Sequence, residues 1–189
     1  MKRNPVLDPG LERELELLAL RGGFRSSEDQ AGNLFHWFRL GSPGDLPAAA
    51  RLLAARGARL CTVTAYDPRR EHDHPRHEVA YHFDCGGVLV TVTAALDEGE
   101  PRVPSIMTEF TNADWNEREL AELYGIQVTD RPTPARLFLD ESLERGAMDR
   151  VIPVSVLMNG ASSSTLWERI MGERQDESGS LVVHEEERG

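Results

Sequence analysis

Apolar and polar positions along this chain follow two periods, and the switch between them marks its elements. Leu11, Leu15, Leu18 and, at its limit, Leu20 recur among charged residues at helical spacing, which predicts a short amphipathic helix over residues 11–20 after the Pro9-Gly10 breaker. Residues 22–32 are polar and punctuated by glycine, and read as a connection. Leu34, Phe35, Trp37 and Phe38 then fall in a run of strand length over 34–40. Asp45 stands where it would cap a helix over 47–56, with Pro47 in the first turn and Gly57 at the stop. Three strands of period two follow: Cys61, Val63 and Ala65 oppose Thr62 and Thr64; Val79, Tyr81 and Phe83 oppose Ala80 and His82; Val88, Val90 and Val92 oppose Thr91 and Thr93. The last two meet in a hairpin at residues 84–87.

Pro101 and Pro104 close the sheet region, a short helical turn is expected over 105–110, and a full helix over 112–124. Beyond Gly125 the prolines at 132, 134 and 153 interrupt any pattern, and only residues 165–171 read as another helix, opened by a Thr165 to Glu168 capping box. From Gly172 onward Glu, Asp, Ser and Gly dominate. Single-faced strands with helices to cover them predict an α+β fold: a two-layer sandwich of a small mixed sheet with helices on one side, followed by an extended C-terminal arm. The expected divisions are a helix and strand extension over 1–44, the α+β domain over 45–130, a partner-binding arm over 131–171 and an acidic, flexible tail over 172–189.

Composition narrows the role. With 189 residues, 40% of them hydrophobic, the chain can bury one core, but no apolar run approaches the roughly 20 residues of a membrane-spanning helix. Residues 1–10 carry two basic residues with no apolar stretch behind them, so neither a secretory signal nor a transit peptide is expected, and the cytoplasm is the expected address. Two cysteines, Cys61 and Cys85, are too few for a disulfide framework and suggest buried thiols in a reducing compartment. A formal net charge of -11 argues against nucleic acid as a partner, because that affinity rests on clustered Lys and Arg.

Candidate chemistry mostly falls away. His72, His74 and His77 sit with Glu71 and Asp73 in one turn, but Arg69, Arg70 and Arg76 crowd it, and the spacing fits no established metal motif. Two distant cysteines cannot supply the four thiolates of an iron–sulfur cluster. No glycine-rich phosphate loop follows any strand, and Ser162, Ser163 and Ser164 lie before a helix, where capping explains them. No catalytic residues and no cofactor are expected, and an interaction role becomes the leading class.

Residues 101–125, PRVPSIMTEFTNADWNERELAELYG, are the most informative. Thr111 and Asp114 fit a capping box, Asp114 and Arg118 an i, i+4 ion pair, and Gly125 a left-handed stop. On a helical wheel Leu120, Leu123 and Tyr124 share one face while Trp115, Arg118 and Glu122 group on the other. A Trp beside an Arg among charges is the composition of an interface anchor; the alternative folds Trp115 back onto the preceding turn. Glu117, Glu119 and Glu122 read either as a solvated face or as partners for basic residues on a neighbour.

This segment resembles the signature of the thirty-kilodalton-type subunit of respiratory complex I and of its relatives in membrane-bound hydrogenases and formate hydrogenlyases: a Pro-Ser turn, then Trp, Glu-Arg-Glu and an aromatic-Gly pair. The resemblance runs over about residues 45–139, through Asp45-Leu46-Pro47 and the three strands. It implies an accessory subunit without its own redox centre, on the cytoplasmic side of the cell membrane and held there only through partners. Those partners would be a large catalytic subunit of quinone-site or nickel–iron type and an iron–sulfur small subunit. Trp115, Glu117, Arg118, Glu119, Tyr124 and Gly125 match the signature, and with Glu122 and Arg136 they form the expected partner interface. After Gly125 the chain departs from the family pattern: Arg131-Pro132-Thr133-Pro134 replaces a His-Pro-Asp element, and Val151-Ile152-Pro153-Val154 stands near where a Pro-Leu-Arg-Lys-like segment is usual. These departures favour a hydrogenase-type or ferredoxin-linked complex over a classical NADH:quinone oxidoreductase. A rival from another class is a free-standing metal-binding module that uses the His72 to His77 turn.

Overall fold

Helix α1, Pro9–Leu18, starts where the Asp8 carboxylate accepts the Leu11 N–H at 2.8 Å, so Pro9 and Gly10 form its first turn and do not precede it. The computed structural model describes residues 6–66, 77–97, 99–132, 135–137, 139 and 145–146. Leu11 and Leu15 are buried, whereas Leu20 lies past the helix end in the next strand and is 46% exposed.

A five-stranded mixed sheet forms the centre, in the order β1-β2-β5-β4-β3, where β1 is Ala19–Glu28, β2 Leu34–Leu40, β3 Arg59–Tyr66, β4 His77–Cys85 and β5 Val88–Leu96. Strand β2 runs parallel to β5, and the other pairs are antiparallel. Strand β1 corrects the expected connection over 22–32. Its sequence lacks a period-two pattern because a register shift between Ala19 and Phe24 breaks the alternation, and pairing with β2 holds it extended. The hairpin between β4 and β5 turns on Gly86 and Gly87, both at positive φ, as a two-residue turn of the primed kind requires.

Val79, Tyr81, Phe83, Val88, Val90 and Val92 are fully buried on one face of the sheet, as the alternation predicts. Helix α2, Leu46–Ala55, adds Leu46, Ala49, Ala50 and Leu53 to the same core and ends at Gly57, whose φ is +72. Asp45 makes no side-chain cap there; the Ser42 hydroxyl accepts the Gly44 N–H one turn earlier instead. Cys61 is another correction. A bulge between Leu60 and Thr62 shifts the phase of β3, so Leu60 and Val63 point inward and Cys61 is exposed. The result is the expected α+β sandwich, with one apolar cluster shared by the helices and one sheet face.

A second, small element follows. Strands β6, Arg102–Pro104, and β7, Gln127–Thr129, pair in parallel on either side of helix α3, Ala113–Leu123. The prolines at 101 and 104 therefore do not end all strand structure; three residues of pairing survive because Gln127 donates to the Pro101 carbonyl and Ser105 to the Thr129 carbonyl. Of the C-terminal segments, the helix at 165–171 and the tail from 172 lie outside the described residues.

Candidate functional site

Helix α3 presents three faces, each about a third of the wheel at about 100° per residue. Ala113, Glu117, Leu120 and Ala121 are buried toward the sheet. Asp114, Arg118 and Glu122, at i, i+4, i+8, meet the chain that returns after β7. Trp115, Asn116, Glu119 and Leu123 face outward, and Trp115 is 67% exposed.

Glu117 is wholly buried in the first face, yet it is well supplied with donors. Its carboxylate accepts the Ser105 hydroxyl at 2.8 Å, the Ile106 N–H at 2.8 Å and the Arg131 guanidinium at 2.7 Å. Arg131 also reaches Asp114 at 2.5 Å, so one guanidinium is shared by two carboxylates. Burial opposes the Arg131 charge, but the bonds to Asp114 and Glu117 outweigh it and raise its pKa. Asp130, just before it, is held at φ 59, a left-handed turn that starts the chain back toward α3. Below the network lies Tyr81, fully buried; burial first and the Glu117 charge second push its hydroxyl pKa upward, so it stays neutral.

The second face works as a clasp. Arg118 donates from Nε to the Ala135 carbonyl at 3.1 Å and from Nη2 to the Arg136 carbonyl, and pairs with Asp114 at 3.8 Å. The buried Glu122 carboxylate accepts the N–H groups of Leu137 and Leu139 at 2.7 and 2.5 Å, and its backbone carbonyl accepts the Gly146 N–H. Gly125, at φ +65, lies against Gly146: a Cβ there would meet the Gly146 Cα at 3.5 Å. At the start of α3 an open cleft of about 570 Å³ is lined by Arg59, Leu60, Cys61, Phe110 and Asn112, and the Asn112 amide closes one side by donating to the Leu60 carbonyl.

A family model described as the 30 Kd subunit of respiratory-chain NADH dehydrogenase matches residues 41–154, more than half of the chain. The chain belongs to this family. It is 34% identical over 95 residues to an NADH-quinone oxidoreductase subunit of Rhodopseudomonas palustris strain TIE-1, covering 50% of this chain and 45% of that protein. It is 50% identical over 44 residues to an NAD(P)H-quinone oxidoreductase subunit of Synechococcus strain CC9605, covering 23% of each. The chain thus spans under half the length of these curated relatives. In fold it is similar to a chain of the membrane-bound sulfane sulfur reductase, an archaeal respiratory membrane complex, with a TM-score of 0.59 and 14% identity, covering 91% of this chain and 96% of that one.

In this member of the 30 Kd subunit family the expected interface residues separate. Trp115 and Glu119 stand on the outward face, and the exposure of Trp115 overturns the alternative that folds it onto the preceding turn. Glu117 and Glu122, expected either as a solvated face or as partners for a neighbour's basic residues, are buried and bonded within the chain, because Ser105, Arg131 and three backbone N–H groups supply the hydrogen bonds that water would otherwise give. Arg118 turns away from solvent into the clasp, and Arg136 lies 4.0 Å from Glu122. Tyr124 packs partly against the core, whereas Leu123, expected beside it, lies on the outward face. Asn112, not Thr111, is the N-cap residue of α3, and it makes no side-chain cap bond; its amide donates to the Leu60 carbonyl instead.

Ser105 and Arg131 were not among the expected site residues. The available signal was Glu117 itself, one charge in the middle of the stripe Ala113, Leu120, Ala121 and Tyr124. The Pro-Ser turn and the following Glu of the family signature are here directly bonded. His77 begins β4 and is buried, while His72 and His74 lie outside the described residues; among the described residues no cluster of three metal-ligating groups occurs, and no helix is long and apolar enough to cross a membrane.

Proposed function

We propose that this chain is a cofactor-free accessory subunit of a membrane-attached, complex I-like oxidoreductase, braced against the large catalytic subunit on the cytoplasmic side and close to an iron–sulfur small subunit. The observation that carries the reading is the division of α3: its buried carboxylates are bonded within the chain, and a single large aromatic ring, Trp115, is left 67% exposed. Exposed Trp is the residue type most enriched where partners bind, and a helix fixed on two of its three faces presents it without an ordering cost. Membership of the 30 Kd subunit family supports the same reading.

Two finer readings follow from different observations. The curated relatives are named as subunits of quinone oxidoreductases, which favours a quinone-site partner. The departures after Gly125, where Arg131 takes its place beside Glu117, favour a hydrogenase-type or ferredoxin-linked complex. Affinity purification of the tagged chain from its native membranes, with mass spectrometry of what accompanies it, tests the proposal. Stoichiometric recovery of a large catalytic subunit and an iron–sulfur subunit is expected. Two Cys-x-x-Cys pairs in that large subunit select the nickel–iron reading, and recovery of the chain alone as a monodisperse protein overturns the proposal.

A further inference from the structure

The outward face of α3 shows what kind of partner segment it takes. The polar contacts of Arg118 run inward, to Ala135, Arg136 and Asp114, and its side chain is 21% exposed. Its guanidinium carbon nevertheless lies 6.0 Å from the centre of the Trp115 ring, so one side of the indole is occupied by a cation that the clasp holds still. The ring is thereby aimed outward with its other side free, and it remains 67% exposed.

One helical turn on, at i+4, Glu119 is half-buried on the same stripe and has no ion pair among the described residues. Asn116 and Leu123 complete the stripe, so its only charge is negative, on a chain of net charge -11. A lysine or arginine meets both demands at once, because its methylene stem lies along an indole face while its charged head reaches a carboxylate one turn away.

We infer that Arg118 is a positioning residue for Trp115, and that the surface of Trp115 and Glu119 takes a Lys- or Arg-bearing segment of a partner subunit. This rests on the docking role proposed above. Arg118 itself gives the partner no charge; it sets the angle of the ring.

Binding of the purified full-length chain to membranes or complex stripped of it, measured at two salt concentrations, separates the two roles. Trp115→Ala should weaken binding about thirtyfold, in the range of aromatic hot spots. Arg118→Ala should weaken it about tenfold with the salt dependence unchanged, since the lost cation never faces the partner. Glu119→Gln should weaken it about threefold at low salt and flatten the salt dependence. Melting curves accompany each variant; if Arg118→Ala does not fold, Arg118→Lys decides, because it keeps the charge but cannot bridge two carbonyls under a flat ring.

Unchanged binding in Trp115→Ala sinks the docking role itself. Normal binding in Arg118 variants that keep Trp115 overturns only the positioning role, as does a flattened salt dependence in Arg118→Ala, which would make Arg118 a direct contact. No effect of salt on the wild type and none of Glu119→Gln would show that a wholly apolar segment covers the face and overturn the cationic partner. Concentration-dependent self-association lost in Trp115→Ala would assign the surface to a second copy of this chain and overturn it likewise.

Discussion

Replacing Glu117 by Ala removes the acceptor shared by the Pro-Ser turn and Arg131. Three donors lose their acceptor: the Ser105 hydroxyl, the Ile106 N–H and the Arg131 guanidinium. The guanidinium matters most, because the Arg131 side chain is only 11% exposed and is left with Asp114 alone. Removing one member of a buried ion pair costs about 3–5 kcal/mol, chiefly through the uncompensated charge that remains. For a domain of this size that corresponds to a fall in melting temperature of about 6–20 °C. Glu117→Gln keeps the shape and can still accept from Ile106, so its loss should be smaller, about 1.5–3 kcal/mol, the value of hydrogen bonds to charged groups. Urea denaturation of the isolated chain, with Arg131→Gln and the double variant completing a cycle, measures both; the coupling between the two sites should exceed about 1 kcal/mol. A Glu117→Ala midpoint within about 0.5 kcal/mol of wild type, at an unchanged denaturant slope, would refute the reasoning and place Arg131 in water.

Gly125→Val should cost about 1–3 kcal/mol, since φ is +65 and the Gly146 Cα waits 3.5 Å from the added Cβ; an unchanged midpoint would deny the left-handed stop. Trp115→Ala should leave the melt of the isolated chain within about 1 kcal/mol of wild type because the ring is 67% exposed, and a loss of about 3–5 kcal/mol would put it in the core. Burial, opposed by the Glu12 charge, holds the His36 pKa below its usual 6.5, and burial does the same for His82. The unfolded chain then takes up these protons first, so stability should be full above about pH 6.5 and fall as the pH drops below it; His36→Phe should flatten that slope, and an unaltered slope rejects the assignment. The purified chain should carry no stoichiometric iron, nickel or flavin, and a visible absorption band would overturn this.

The elements that write their own period into the sequence were the legible ones. Strands β4 and β5 alternate, β3 was placed although its bulge turned Cys61 outward, α2 is closed by Gly57, and the Asp114 to Arg118 pair and the left-handed Gly125 follow from spacing alone. Strand β1 was not legible, because its extended form comes from pairing with Phe35, Trp37 and Phe38 of β2 and not from a pattern of its own. Strands β6 and β7 are three residues each and hold together across the length of α3, a contact that no local window contains. The site divided in the same way. Exposure of Trp115 could be read from its charged neighbours, but a wheel assigns charges to water, and burial of Glu117 and Glu122 depends on Arg131, Leu137 and Leu139, which arrive only after the chain has reversed at Asp130. A charge at the centre of an apolar stripe signals such a late partner, and Glu117 shows how far from the helix that partner can lie in sequence.

An accessory subunit seated through the outward face of α3 must have another subunit lying against Trp115. Replacing Trp115 by p-benzoylphenylalanine in the native host and irradiating intact membranes tests this directly, because the photoreactive ring bonds only to what lies against it. One principal cross-linked product is expected, in which the chain is joined to another subunit of the same complex at a segment containing Lys or Arg. Assembly of the intact complex with no cross-link at that position, while a control position on the sheet does cross-link, would contradict it.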